Sequence, residues 1–246
     1  MAPASGTPPR FRQIVDQLRQ KIEEGSIKKH AALPSERIVA EEYSVSRMTA
    51  RRALEALESE GLAYSEGRKG RFVSPQRLRY NISNMVSFAS DLQASDADLE
   101  IDLLSKGAAK ADSHLGNVLS VPVGTELWEY TRLFRIGGHP TFIETEYVVA
   151  TDFPDLLDND LRQSSTKLLE QKYNTSAHTG NILIRMRALT LPESEKLGTA
   201  PYNAGIELEQ VISDAAGRAF CFGRQIWRGE LAEFSAQAIV NPGKGR

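Results

Sequence analysis

Ser46-Arg47-Met48-Thr49-Ala50-Arg51-Arg52, preceded by Pro34-Ser35-Glu36-Arg37, decides how the N-terminal third of this 246-residue chain is read. Ser46 suits the cap of a helix in which Ala50, Ala53, Leu54 and Leu57 form an inward stripe and Gly61 marks the stop. Arg47 and Arg51 stand four residues apart, ~6 Å along a helix axis, so both can enter one major groove. Their forked donors match guanine O6 and N7 or a phosphate. Arg52 points off that face, toward the DNA backbone or an acidic neighbour. The competing reading is an exposed helix whose arginines pair with Glu55 and Glu58.

Upstream, Phe11, Ile14, Val15, Leu18 and Ile22 recur at helical spacing between Pro9 and Gly25, which predicts an amphipathic helix. Ser35 caps a shorter one that ends near Tyr43. Downstream, Leu62 to Tyr64 and Arg71 to Ser74 read as two short strands around the tip Glu66 to Gly70. There Gly67 and Gly70 permit close approach, and Arg68 and Lys69 can reach a minor groove or its phosphates. Three helices and a hairpin predict a winged helix-turn-helix over residues 9–75, after a tail of residues 1–8. A solvated turn is the plainer reading of the tip. As a nucleotide cradle it fails, since no helix follows.

Composition first speaks against nucleic acid, because 30 Lys and Arg against 32 Asp and Glu leave a net charge of −2. Divided by position, residues 1–75 hold 13 basic and 10 acidic side chains, or +3, and residues 76–246 hold 17 and 22, or −5. The two sums return −2, with the basic excess beside the candidate helix and hairpin. No stretch reaches the ~18 apolar residues of a membrane span, and residues 1–9 lack the apolar centre of a signal peptide. A lone Cys221 makes no internal disulfide, so a cytoplasmic chain is expected, without membrane contact. The four histidines are scattered, and neither metal nor cofactor is expected.

After a linker at residues 76–84, the remainder, 85–246, carries an internal echo. Leu115-Gly116, Gly124 and the turn glycine Gly138 recur as Leu197-Gly198, Gly205 and Gly217, at separations of 82, 81 and 79 residues. Each unit reads as helix end, loop and β-hairpin, so two antiparallel hairpins in one sheet are expected. A short helix from Ser164 to Tyr173 and a strand from Ile182 to Leu191 lie between them. The class is α+β, a winged helix-turn-helix followed by an antiparallel-sheet domain.

Residues 9–75 resemble the GntR family of bacterial transcription regulators through Leu33-Pro34-Ser35-Glu36-Arg37, Val45-Ser46-Arg47-Met48-Thr49-Ala50-Arg51, Glu60-Gly61-Leu62 and Gly70-Arg71-Phe72-Val73. The second part is similar to the UTRA effector-binding domain of the HutC subfamily, a chorismate-lyase-like fold. Phe88-Ala89-Ser90-Asp91, Arg132-Leu133-Phe134-Arg135, Phe153-Pro154-Asp155-Leu156 and Trp227-Arg228-Gly229 carry that similarity. The resemblance implies a ligand-responsive repressor that binds palindromic double-stranded operator DNA as a homodimer. It places Arg37, Ser46, Arg47, Thr49, Arg51, Arg52, Gly67, Arg68, Lys69 and Gly70 at the DNA, with Arg71 as an added wing cation.

For the effector, the resemblance implies a loop at Ser87, Phe88, Ala89 and Ser90 that holds an anionic group, with Arg132, Phe134, Glu144, Tyr147, Ser164, Thr166, Arg185 and Trp227 around it. Phe134 stands where relatives that bind phosphorylated sugars often have a second arginine, Thr166 and Trp227 each where a tyrosine is common, and Arg185 where a glutamate is. A small carboxylate, phosphonate or sulfonate then suits the pocket better than a hexosamine phosphate, with other sugar phosphates still open. The plainer readings are Trp227 in the core, Arg185 as an ion-pair partner and Glu144 as a solvated strand residue. A small-acid enzyme of the chorismate lyase type is the alternative from another class. Against it, no nucleophile has an adjacent base, and the only close carboxylates on one strand are Glu144 and Glu146. An interaction module with a vestigial pocket is a third reading.

Overall fold

The computed structural model describes residues 9–66, 69–74, 78–83 and 98–237. Its first unit begins with α1 (Arg10–Glu23), whose Ile14, Val15 and Leu18 are buried. Next come α2 (Glu36–Glu42) and α3 (Arg47–Ser59), capped by Ser35 and Ser46 as their side-chain chemistry dictates. Ser46 Oγ accepts from the Thr49 amide at 3.1 Å. Ala50, Ala53, Leu54 and Leu57 turn inward and join α1, Leu33 and Val39 in one core. Gly61, with φ of +74°, lets the chain leave α3 for strand β1 (Ala63–Ser65), which pairs antiparallel with β2 (Arg71–Val73).

Residues 78–81, expected to be linker, form strand β3 (Leu78–Asn81), which runs parallel to β10 (Ala232–Ser235) near the end of the described chain. Tyr80 and Phe234 there pack on Trp227, so an apolar face, and not a flexible spacer, fixes this segment.

The second unit is a six-stranded sheet of β4 (Leu99–Lys110), β5 (Glu126–Ile136), β6 (His139–Val149), β7 (Thr179–Ala188), β8 (Ala204–Ser213) and β9 (Ala219–Arg228). Its order is β4-β5-β6-β9-β8-β7, and every neighbouring pair is antiparallel. The echo in the sequence corresponds to this symmetry. Hairpin β5–β6 and hairpin β8–β9 meet at the centre, β6 against β9. Gly137 and Gly138, at φ of +56° and +76°, supply the tight turn of the first.

Each hairpin is preceded by a helix, α4 (Ser113–Leu119) or α6 (Leu191–Leu197), and an edge strand, β4 or β7, so the repeat is longer than its glycine markers. Leu115-Gly116 lies inside α4, where Gly198 is a true C-cap of α6. The strand expected from Ile182 begins earlier, at Thr179.

Side-chain alternation gives the sheet two covered faces. Leu133, Ile143 and Ile226 pack with Leu197 of α6, and Leu127, Val149 and Phe222 with Leu115 and Leu119 of α4. On the opposite face Tyr130, Val148 and Cys221 meet Leu168 and Leu169 of α5 (Ser165–Tyr173) and Phe153. Among the described residues, no helix is long and apolar enough to cross a membrane.

Candidate functional site

Two sites follow from this scaffold. At the first, the N-terminal end of α3, the start of α2 and the wing enclose a groove of about 550 Å³ lined by Arg37, Arg47, Lys69 and Arg71. Arg47 is exposed and has no ion-pair partner among the described residues. Arg37 and Arg51 are exposed too, each leaning on a carboxylate one turn away, Glu41 at 2.9 Å and Glu55 at 2.7 Å. These i, i+4 pairs are solvated and worth at most ~0.5 kcal/mol, so a phosphate or a base edge can take their place. Thr49 Oγ1 lies 2.9 Å from Ser46 Oγ, which ties both hydroxyls to the cap.

Two cations are not where the sequence reading puts them. Arg52 lies over the ring of Phe11, 4.8 Å from its centre, and holds α3 to α1. Arg71 turns inward, to Glu36 at 3.1 Å and Glu58 at 3.3 Å, and adds no free charge to the wing. Lys69 pairs with Glu66, whose carboxyl it holds below the usual range. Gly70, at φ of +117°, makes the tight turn before β2. Gly67 and Arg68 lie outside the described residues.

The second site is the polar floor of the sheet below α5. Arg132, 2% exposed, projects from β5 beside Glu144 and Glu146 of β6. Its Nη2 donates to Glu144, to Glu146 at 2.7 Å and to Ser165 Oγ at 3.0 Å, while Nη1 donates to the carbonyls of Leu161 and Gln163 at 2.9 and 2.7 Å. Nε has no hydrogen-bond partner among the described residues. Gln225 Nε2 donates to Glu144 at 2.7 Å, and Gln225 Oε1 accepts from Trp227 Nε1 at 2.9 Å. Burial drives the Glu144 carboxyl above its usual range against the pull of Arg132, with Glu146 adding to the rise. Arg132 is thus no free cation awaiting an anion. Two buried carboxylates already oppose its single charge.

The remaining expected pocket residues do not converge. Phe134 and Trp227 are core, stacked on either side of Phe142 at 4.1 and 4.0 Å between ring centres. Tyr147 is on the opposite face of the sheet from Glu144, by strand alternation, and donates to Glu129 at 2.9 Å. Arg185, on β7, also faces that way and pairs with Glu207 and Glu209 at 3.0 and 2.6 Å. Ser164 caps α5 and its Oγ lies 3.2 Å from that of Thr166. Ser87, Phe88, Ala89 and Ser90 lie outside the described residues. Ser165 and Gln225 were not singled out by sequence. Their signal is register, since Gln225 stands opposite Glu144 on β9. Among the described residues, no group of three His, Cys, Asp or Glu is placed to hold a metal.

Family comparison decides what this two-part architecture is. Residues 11–73 match the bacterial regulatory proteins of the gntR family, and residues 94–233, more than half of the chain, match the UTRA domain. The chain belongs to the GntR family and carries a UTRA domain. This GntR-family protein is 29% identical over 166 residues to the mannosyl-D-glycerate transport/metabolism system repressor MngR of Escherichia coli strain K12, covering 68% of this chain and 69% of the relative. It is 24% identical to the HTH-type transcriptional repressor NagR of Bacillus subtilis strain 168, covering 92% and 93%. Among solved structures, PhnF from Mycobacterium smegmatis shares its fold at a TM-score of 0.65 and 22% identity, over 93% of this chain and all of that one. The regulator is a transcriptional repressor of this family, and not an enzyme. GntR regulators bind operator DNA and UTRA domains bind small-molecule effectors.

Proposed function

We propose that this repressor binds a palindromic operator as a homodimer in the cytoplasm, with Arg47 and Arg51 reading the major groove and the wing on the backbone. One winged helix offers few base contacts, and twofold pairing supplies the rest of the affinity. The observation that carries this reading is the groove in which Arg37, Arg47 and Lys69 face one open space beside a capped helix end. The domain division at residues 75 and 85 belongs to the same proposal.

The effector in this reading is a small anion, and a carboxylate fits because glycerate, in the name of one relative, is a carboxylate. It meets Arg132 only by exchanging with Glu144 or Glu146, and that exchange is the switch. Displaced carboxylates must find new partners or protons, which alters the packing of α5 on the sheet. An effector that favours the rearranged form weakens operator binding by the same factor.

DNA selected by the wild-type protein from a random pool provides the test. Arg47→Ala and Arg51→Ala should each weaken binding by about 1–3 kcal/mol, roughly five- to more than a hundredfold, whereas Arg52→Ala should leave it nearly unchanged. Full affinity in both of the first two variants would remove α3 from the interface. For the effector, a thermal-shift screen of carboxylates, phosphonates, sulfonates and sugar phosphates should show one stabilising class. Stabilisation that persists in Arg132→Met would place that ligand elsewhere. A monomer mass in solution at micromolar concentration would contradict the homodimer.

A further inference from the structure

The winged helix and the sheet domain meet at a cluster that neither DNA nor effector binding uses. His30, between α1 and α2, and His139, the first residue of β6, stack with ring centres 3.9 Å apart and planes within 4°. Both turn Nδ1 toward the hydroxyl of Tyr64 on β1, at 3.0 and 3.2 Å. Arg228, fully buried at the end of β9, lies over the Tyr64 ring at 4.8 Å and is held by Glu230 at 2.8 Å. Glu66, after β1, comes within 4.0 Å of His139. His30, Tyr64 and Glu66 belong to the winged helix, and His139, Arg228 and Glu230 to the sheet domain.

A phenol has one proton and faces two imidazole nitrogens here, so it donates to one and accepts from the other. The network is complete when one Nδ1 is bare and accepts from Tyr64 and the other carries a proton and donates to it. Protonating the accepting ring leaves the Tyr64 proton without an acceptor and sets a positive charge on a parallel ring within reach of Arg228. The surroundings already oppose that charge. Burial lowers the pKa of His30, helped by His139, Arg228 and Lys29 against Glu66, and it lowers that of His139, with Arg228 and Lys69 assisting and Glu66 again opposing. Tyr64 is pushed up to about 12 by burial and keeps its proton throughout.

We propose that His30, Tyr64 and His139 form a neutral latch that docks the winged helix on the sheet domain and opens when an imidazole is protonated. The docked form binds protons less readily than the open one. Docking is therefore complete above the ordinary histidine value of ~6.5 and is lost as pH falls below it. The open-to-docked ratio rises by up to about tenfold per pH unit for each linked proton. Arg51 and Glu55 of α3 share a groove of about 630 Å³ with Met186, Ala200 and Asn203 of the sheet domain, so undocking also changes the surroundings of the recognition helix.

The test uses the full chain, spin-labelled at Glu24→Cys, the C-cap of α1, and at Asn117→Cys on α4 and diluted with unlabelled protein so that only distances within one chain are read. Wild type should give one narrow distance distribution at pH 7.5 and a second, broader one at pH 5.5. In His30→Asn/His139→Asn, whose amides reach the Nδ1 positions and keep the hydrogen bonds without titrating, the distribution should not change with pH. An unchanged wild-type distribution, or a shift of full size in the double variant, would overturn the latch. If circular dichroism shows the double variant misfolded, Tyr64→Phe takes its place. It should show the broad distribution already at pH 7.5, and wild-type behaviour at both pH values would count against the proposal.

Discussion

Replacing Arg132 by methionine should be among the most damaging single changes in the sheet domain. The substitution keeps an apolar stem but strands the carboxylates of Glu144 and Glu146, 8% and 6% exposed, and removes the donor to the carbonyls of Leu161 and Gln163. Breaking a buried ion pair by deleting one partner costs about 3–5 kcal/mol, and two orphaned carboxylates place this case at the upper end. Against a typical stability of about 5–15 kcal/mol, that loss leaves the domain marginal.

The cost should depend on pH. Burial already holds the Glu144 proton more firmly in the folded state than in the unfolded one. Its contribution is therefore present below the unfolded value and lost as pH rises through the folded one. Without Arg132 that rise steepens, so the deficit should be largest near pH 8 and smaller near pH 5.5. Urea unfolding followed by the fluorescence of Trp128 and Trp227 reads both. The triple variant Arg132→Met/Glu144→Leu/Glu146→Leu should recover most of the loss, because no buried charge remains. A deficit below about 1 kcal/mol at pH 7.5, or one that does not vary with pH, would refute the idea that Arg132 is spent on these two glutamates.

Ser46→Ala removes the acceptor for the Thr49 amide and should cost about 1 kcal/mol of winged-helix stability, read as a lower urea midpoint; an unchanged midpoint would show that the cap carries no stability. Trp227→Ala should cost about 3–5 kcal/mol, since the indole is fully buried between Phe142, Tyr80 and Phe234; a loss under 1 kcal/mol would return Trp227 to an open pocket.

The winged helix was legible because its signals are local. Ser35 and Ser46 cap helices through amides three residues on, and the α3 stripe at 50, 53, 54 and 57 shows its buried face by period alone. Strand β4 was not, because its Leu-Glu-Ile-Asp-Leu-Leu run contains a bulge between Leu103 and Ser105 that breaks the alternation a strand is recognised by. Which of the expected effector residues share a face was not legible, for another reason. Family positions name residues on strands, but which face each one takes follows from register, and register puts Tyr147 and Arg185 on the side away from Arg132.

By itself the sequence determined the two-part architecture, the capped helix α3 with its cations and the family, since caps, glycine turns and helical stripes act within a few residues. Only the tertiary structure decided which charges are free. Arg47 faces an open groove, while Arg52 and Arg71 are held by Phe11, Glu36 and Glu58, and Arg132 is neutralised by Glu144 and Glu146. The same holds for the pairing of His30 with His139, which are 109 positions apart in the chain. A side chain's charge is written in the sequence, but its partner is chosen by whatever the fold brings within a few ångströms, and burial then sets what the pair is worth.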